Sequence, residues 1–449
     1  MKLVTQNDSK SKPYIMNRLL KIFISLPFLM LAFSPLNAAL TIEISEGTEG
    51  ALPIAVVPFD TSKVASQLSE DIAQIVTNDL NRSGVLTVLS RNSLPATPYY
   101  SHEVKYPAWR AAGQDYLVVG RAMEKTTGQY EIQFQLLDVL KQKQLIGYSL
   151  QTTKRKLRAS AHDISDLIYQ KITGIRGAFN TRIAYIRAQR NQGRKYILQV
   201  ADTDGFNAQT VLESDEPLMS PSWSPDGDSL AYVSFENRRP EIFIQHLSTA
   251  KRSKVSGFKG INSAPSWSPN GEFLALVLSK DGGPDIYLMN VESKRLTRLT
   301  RHRGIDTEPV WSGDGQSIIF TSDRSGSPQI YEVAATGGKP RRITFEGQYN
   351  SAASVSPDGK YIAMVHGEAG QFKIAQMELD TGNLTVLTDS TLDESPSFAP
   401  NGKMVLYAST RGDNGVLYAV SVDGRGKHKL SDQTGDIREP VWGPYKRKQ

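Results

Sequence analysis

The chain has 449 residues, 39% of them hydrophobic, a formal charge of +6 and no cysteine. The length predicts two or three domains with sizeable cores. The missing cysteine excludes disulfides, thiolate nucleophiles and thiolate metal sites, and it suits an oxidising compartment. The charge surplus is small and partly terminal (Arg18, Lys21, Lys446, Arg447, Lys448). No interior basic block of the kind that tracks phosphates is present, which argues against a nucleic-acid partner.

Arg18 and Lys21 precede or open an apolar run from Ile22 to Phe33. A membrane span takes about 20 residues, so this shorter run reads as the core of a secretory signal peptide. The small residues of "SPLNAA" place cleavage near Ala38 or Ala39. Residues 1–38 are therefore expected to be a signal peptide, with Met16 as an alternative start. The mature chain is expected in the periplasm, with no transmembrane segment and, lacking a cysteine at the cleavage point, no lipid anchor.

An arm follows over 39–50. Leu40, Ile42 and Ile44 alternate with polar residues, the period of a strand with one apolar face. Such a strand either joins a partner's sheet edge or edges its own domain. Residues 51–176 read as an α/β domain. "PIAVVPF" (Pro53–Phe59) is a buried strand, Ser66–Ser83 a helix, and further strands fall at 86–89, 116–121, 130–138 and 145–150. A second helix spans 158–171 and stops at Gly174. Glu70, Asp71 and Asp79 read as a solvated helix face, and Trp109 as core.

After Gly177 the pattern changes to short strands between Gly, Asp, Asn, Ser and Pro. A motif recurs as "SPSWSPDG", "APSWSPNG" and "EPVWSGDG". Pro221, Pro265 and Pro309 are 44 residues apart, Pro309 to Pro396 is 87, and Pro396 to Pro440 is 44. A degenerate copy with Val355 in the Trp place fills the long gap, so the motif occurs six times. That period with four strands per unit predicts a β-propeller. "RIAYIR" (Arg182–Arg187) lacks a preceding motif and "PVWGP" (Pro440–Pro444) lacks following strands, so the two complete one blade. The fold expected is an α/β N-terminal domain followed by an all-β six-bladed β-propeller over 177–449, closed by strands from both ends of the propeller domain.

The motif reads as architecture rather than chemistry. Trp223, Trp267, Trp311 and Trp442 give way to Val355 and Phe398, which keeps bulk and loses the indole. Asp226, Asp314 and Asp358 give way to Asn270 and Asn401, a swap that a turn tolerates and a catalytic carboxylate does not. "DTDGFN" (Asp202–Asn207) has the wrong spacing for a calcium loop and reads as a hairpin turn. The six histidines are scattered, and no nucleotide loop, H-E-x-x-H or G-x-S-x-G occurs. The chain is accordingly read as no enzyme, with no catalytic residue, cofactor or metal. The competing readings are a gating or regulatory propeller of a periplasmic peptidase and a small-ligand or sugar-binding propeller. Loops before each inner strand lie at one rim of the channel, where Asp306, Glu308, Asp393, Glu394, Asp436 and Glu439 form an acidic set. Loops held by a rigid scaffold commonly carry binding.

"PIAVVPF", "ITGIRGAFNTRIAYI", "PLMSPSWSPDGDSLAYVSFE", "IDTEPVW", "TLDESPSFAPNG" and the terminal "PVWGP" together resemble the TolB family of the Tol–Pal system, over essentially the whole mature chain. The resemblance implies a periplasmic, non-enzymatic hub, acting as a monomer, in outer-membrane constriction at division and envelope integrity. It implies binding of the lipoprotein Pal at the channel rim and of the C-terminal domain of TolA at the arm, with other outer-membrane proteins as further partners. The family's Pal-sensitive loops match "INSAP" and "DTEP", which carries the role to Asn262, Ala264, Thr307 and Glu308. Many relatives have His where this chain has Ile261.

Overall fold

The computed structural model describes residues 50–65, 67–189, 195–412, 414–430 and 435–446. The expected signal peptide and its cleavage point, and the arm residues Leu40, Ile42 and Ile44, lie outside the described residues.

The first domain is built on a six-stranded sheet. β1 (Leu52–Val56) runs parallel to β3 (Leu86–Val88) and β4 (Tyr116–Thr126). β5 (Gln129–Asp138) and β6 (Lys143–Thr153) extend it antiparallel, and β2 (Asp60–Lys63) pairs with β4. α1 (Ile72–Arg82) and α3 (Leu157–Thr173) cover one face, burying Ile72, Ile75, Val76, Leu80, Ile164 and Ile168 against Ile54, Val56 and Val118. The helix expected from Ser66 starts only at Ile72, because the Asp71 carboxylate accepts the N–H of Gln74 (3.0 Å) and caps it there. Gly174, at φ 76°, ends α3 as expected. A short helix that periodicity does not reveal, α2 (Tyr106–Ala111), has Pro107 in its first turn. It delivers Trp109, fully buried, to Ala55, Val57, Leu117 and Val119 on the opposite face.

One expectation is overturned in α1. Asp79 is not on a solvated face: it is 1% exposed and pairs with Arg82 (2.6 Å) and His162 (2.7 Å). It stands at an apolar position of the helix stripe, and that position governs its burial.

The remaining described strands form six four-stranded sheets, blades 1 to 6. Their inner strands are Leu218–Trp223, Asn262–Trp267, Asp306–Trp311, Tyr349–Val355, Asp393–Phe398 and Asp436–Trp442. Blade 6 is the composite. Its C-terminal inner strand pairs with β7 (Arg182–Gln189), followed by β8 (Lys195–Asp202) and β9 (Gln209–Ser214), in the register Val441↔Ala184 and Trp442↔Ile183. The ring is thereby closed by the two ends of the domain, as expected.

The motif's parts have separable jobs. Each turn aspartate or asparagine uses one oxygen to accept an N–H two residues on, as in Asp228 N to Asp226 (3.0 Å) and Glu272 N to Asn270 (3.1 Å). That geometry needs an acceptor and no charge, so Asn serves equally. The tryptophans pack between blades, and two of them also donate across the seam. Trp311 Nε1 reaches the Ser266 carbonyl of blade 2 (3.1 Å), and Trp223 Nε1 reaches the Val441 carbonyl of blade 6 (3.3 Å).

Candidate functional site: the channel mouth

The prolines of the motif sit inside strands, where a residue without an N–H interrupts the ladder. The structure resolves this conflict with a bulge. Register shifts fall between Met219 and Ser222, Ser263 and Ser266, Thr307 and Val310, Ser351 and Ser354, Glu394 and Ser397, and Arg438 and Val441. In each bulge the residue before the proline position is left-handed. Ser220, Ala264, Glu308, Ala352, Ser395 and Glu439 have φ between 47° and 54°. None is glycine, and such a conformation costs on the order of 1 kcal/mol or more per residue. A bulge re-aims a side chain, and these six line a central cavity of about 550 Å³.

Two of the six are glutamates on opposite blades, and each ties its bulge to the next. Glu308 of blade 3 accepts the N–H of Ala352 in blade 4 (2.8 Å) and the Thr321 hydroxyl (2.8 Å). Glu439 of blade 6 accepts the N–H of Ser220 in blade 1. Burial pushes the Glu439 carboxyl up to about 7 against the pull of that N–H, and Glu394 and Glu308 push the same way. Glu394 pairs with Arg438 of the next blade (3.1 Å), which also holds Asp436 (2.8 Å).

The other expected site residues divide between the surface and the frame. Ala264 and Thr307 are half-buried at the mouth. Asn262, Asp306 and Asp393 are fully buried beneath it, where the sequence suggested rim positions. Asn262 accepts the Ser256 hydroxyl (2.6 Å) and the Phe258 N–H (3.0 Å) and donates to the Phe258 carbonyl (2.7 Å), which shapes the 257–261 loop. Asp306 accepts Arg324 on both oxygens (2.7 Å each) and the Ser322 hydroxyl (2.7 Å). Asp393 accepts the Ser390 hydroxyl. The mouth is consequently less acidic at its surface than the composition of its loops implies.

Beside charged groups such as Lys259, Arg303 and Glu346, the loops expose apolar ones. Ile261, Ile305 and Leu392 each stand immediately before an inner strand, and with Met219, Phe258 and Phe345 they are between 39% and 73% exposed. Sequence reasoning did not single these out as a group. Their signal is positional: an apolar residue recurring just ahead of the strand, on the loop side of the register. Exposed apolar groups gathered at one place mark an interaction surface.

Family models decide the relationship. The TolB beta propeller domain matches residues 169–446, and the TolB amino-terminal domain matches residues 40–145. The chain belongs to the TolB family. The "Tol-Pal system protein TolB" of Thioalkalivibrio sulfidiphilus is 57% identical over 435 residues, covering 96% of this chain and 99% of that one. The protein of the same name from Nitrosococcus oceani is 59% identical over 409 residues, covering 91% and 94%. The crystal structure of TolB from Acinetobacter baumannii superposes with a TM-score of 0.82 at 42% identity, covering 90% of this chain and 99% of that one. Membership of the TolB family makes the chain a component of the Tol–Pal system. Among the described residues, no helix is long and apolar enough to cross a membrane.

Proposed function

We propose that the chain is a periplasmic interaction hub of the Tol–Pal system. It captures Pal at the propeller's channel mouth and TolA at the arm carrying Leu40, Ile42 and Ile44, and so supports outer-membrane constriction at division and envelope integrity. It catalyses nothing itself and works by holding partners. The observation that carries this reading is the six-fold left-handed bulge. Six blades repeat one strained backbone choice at the channel, under a rim with exposed Ile261, Ile305 and Leu392. Strain repeated at one place points to a surface shaped for binding, and a central apolar cluster with polar neighbours is how protein interfaces concentrate affinity. Ala264, Thr307, Glu308, Glu394 and Glu439 belong to this surface, and Asn262, Asp306 and Asp393 hold it from beneath.

The test is Ile305→Asp. This side chain is half exposed, so the change should leave the melting temperature within about 1 °C while weakening Pal capture about tenfold or more, ~1.4 kcal/mol. Unchanged affinity by calorimetry would remove the rim from the interface. Deleting residues 40–49 should abolish TolA binding and leave Pal affinity as it was; retention of TolA affinity would place that contact elsewhere.

A further inference from the structure

A group of buried charges lies at the junction of the two domains. His162 of α3 is 1% exposed. Its Nδ1 is 2.7 Å from Asp79 of α1, and its Nε2 is 3.4 Å from Asp204, an ion-pair contact without good hydrogen-bond geometry. Asp204 belongs to the propeller, at the tip of the hairpin between β8 and β9. Arg158 of α3 grips that tip from a second side. Its guanidinium pairs with Asp204, lies 3.7 Å from the Phe206 ring centroid, and reaches Glu70 (3.1 Å). Arg82 closes the group on Asp79 (2.6 Å).

Asp79, His162 and Asp204 bring three ligand atoms within 4.8 Å of one another, which is the donor set of a metal site. Charge argues for a proton instead. Both carboxylates already carry guanidinium partners, and a divalent ion among them would leave buried positive charge uncompensated. With His162 protonated, three cations (Arg82, Arg158, His162) face three carboxylates (Glu70, Asp79, Asp204) and the charge cancels.

We infer that the β8–β9 hairpin tip is a proton-dependent clasp, in which the His162 imidazolium bridges Asp79 of the α/β domain and Asp204 of the propeller and holds the two domains as one body. Burial alone would push His162 down, but the charges of Asp79 and Asp204 override it and raise the group to about 9. Burial likewise opposes ionisation of Asp204, yet His162 and the two arginines hold it well below the usual carboxylate range. The other groups facing the clasp are committed elsewhere. Asp166 accepts the N–H groups of Phe179 (2.8 Å) and Asn180 (3.3 Å), yet burial, with the charges of Asp79 and Asp163 adding to it, pushes it up to about 7, so it titrates below the His162 window; Asp163 accepts the Asn180 amide (2.6 Å). His428 of blade 5, pushed down to about 4 by burial and by Arg82, stays neutral at pH 7. A histidine raised on folding stabilises fully below its unfolded value of about 6.5, and that contribution is lost as pH rises through about 9. The clasp is therefore closed at neutral pH and opens in alkali.

The inference does not depend on which partners bind. Its test uses the full chain, His162→Gln, and Asp204→Asn on the propeller side of the joint. The wild-type His162 ring protons should titrate near pH 9 by NMR and fall by at least one pH unit in Asp204→Asn. Protease cleavage between residues 174 and 181 should accelerate at least fivefold in both variants at pH 7, and in the wild type only above pH 9. A wild-type His162 that titrates at or below 6.5 overturns the inference. So does wild-type cleavage in Asp204→Asn. A melting temperature raised by zinc chloride in the wild type but not in His162→Gln would also overturn it, in favour of a metal site. If His162→Gln fails to fold, the Asp204→Asn arm decides alone.

Discussion

Replacing Arg324 by alanine is expected to destabilise the propeller by about 3–5 kcal/mol, the usual cost of stranding one member of a buried ion pair. Asp306 is fully buried, Arg324 supplies hydrogen bonds to both of its oxygens, and the Ser322 hydroxyl is its further side-chain partner. The guanidinium also lies over the rings of Phe320 (5.3 Å) and Tyr331 (4.9 Å), so packing is lost with the charge. The same place in blades 2 and 4 holds Asn262 and Asn350, buried and neutral. Those blades show that the frame does not need a charge there. The double variant Arg324→Ala with Asp306→Asn should therefore recover most of the loss, to within about 1–2 kcal/mol of the parent. Urea unfolding of the three proteins measures this. A single variant as stable as the parent, or a double variant no better than the single, would show that the pair is not what holds this rim loop.

That comparison also shows where the sequence stops being legible. The residue three before the proline is Asn262, Asp306 and Asp393 in three blades, and loop acids are normally read as solvated. Leu218 occupies the same register in blade 1, paired with Ser234 as Asp306 is with Ser322. The position is a core position that some blades fill with satisfied polar groups, and only the aligned set reveals it. His162 and Asp79 follow the same logic on helices: each is polar within an apolar stripe, Asp79 meets His162 of α3, and His162 also meets Asp204 of the β8–β9 hairpin. The ring count, the turn chemistry and the closure by two chain ends were legible because they are written in local spacing and in a period of 44 residues. The left-handed bulges were not. Ser220, Ala264, Glu308, Ala352, Ser395 and Glu439 share no side-chain chemistry, and their only common mark is the following proline or, in blade 4, Ala353. A proline within a strand run is nonetheless a bulge signal, and its recurrence at Pro221, Pro265, Pro309, Pro396 and Pro440 points to a built feature of the channel.

Removing residues 436–449 is expected to have the largest effect of any change considered. The C-terminal strand is the inner strand of blade 6, so its loss opens the ring on both sides at once. β7 would present a row of unpaired backbone groups along Arg182–Gln189, the kind of edge that recruits other chains. Ile437, 1% exposed, leaves the core it shares with Ile183, Tyr185 and Leu417. Trp223 loses the Val441 carbonyl, and Ser220 loses the Glu439 carboxylate that joins blades 6 and 1. Removing one large core side chain costs roughly 2–5 kcal/mol, against roughly 5–15 kcal/mol for a whole domain. Losing an entire inner strand should exceed what the propeller can spare. The truncated chain should be largely insoluble or bind hydrophobic dye, whereas Trp442→Ala, which keeps the ring closed, should fold with a loss of about 3–5 kcal/mol. A synthetic peptide of residues 435–446 added during refolding should return the truncated chain to a soluble monomer, because the edge of β7 specifies its partner by register. A truncated chain that stays monomeric and melts as the full chain does would mean that closure contributes little, and that each blade is stable on its neighbours alone.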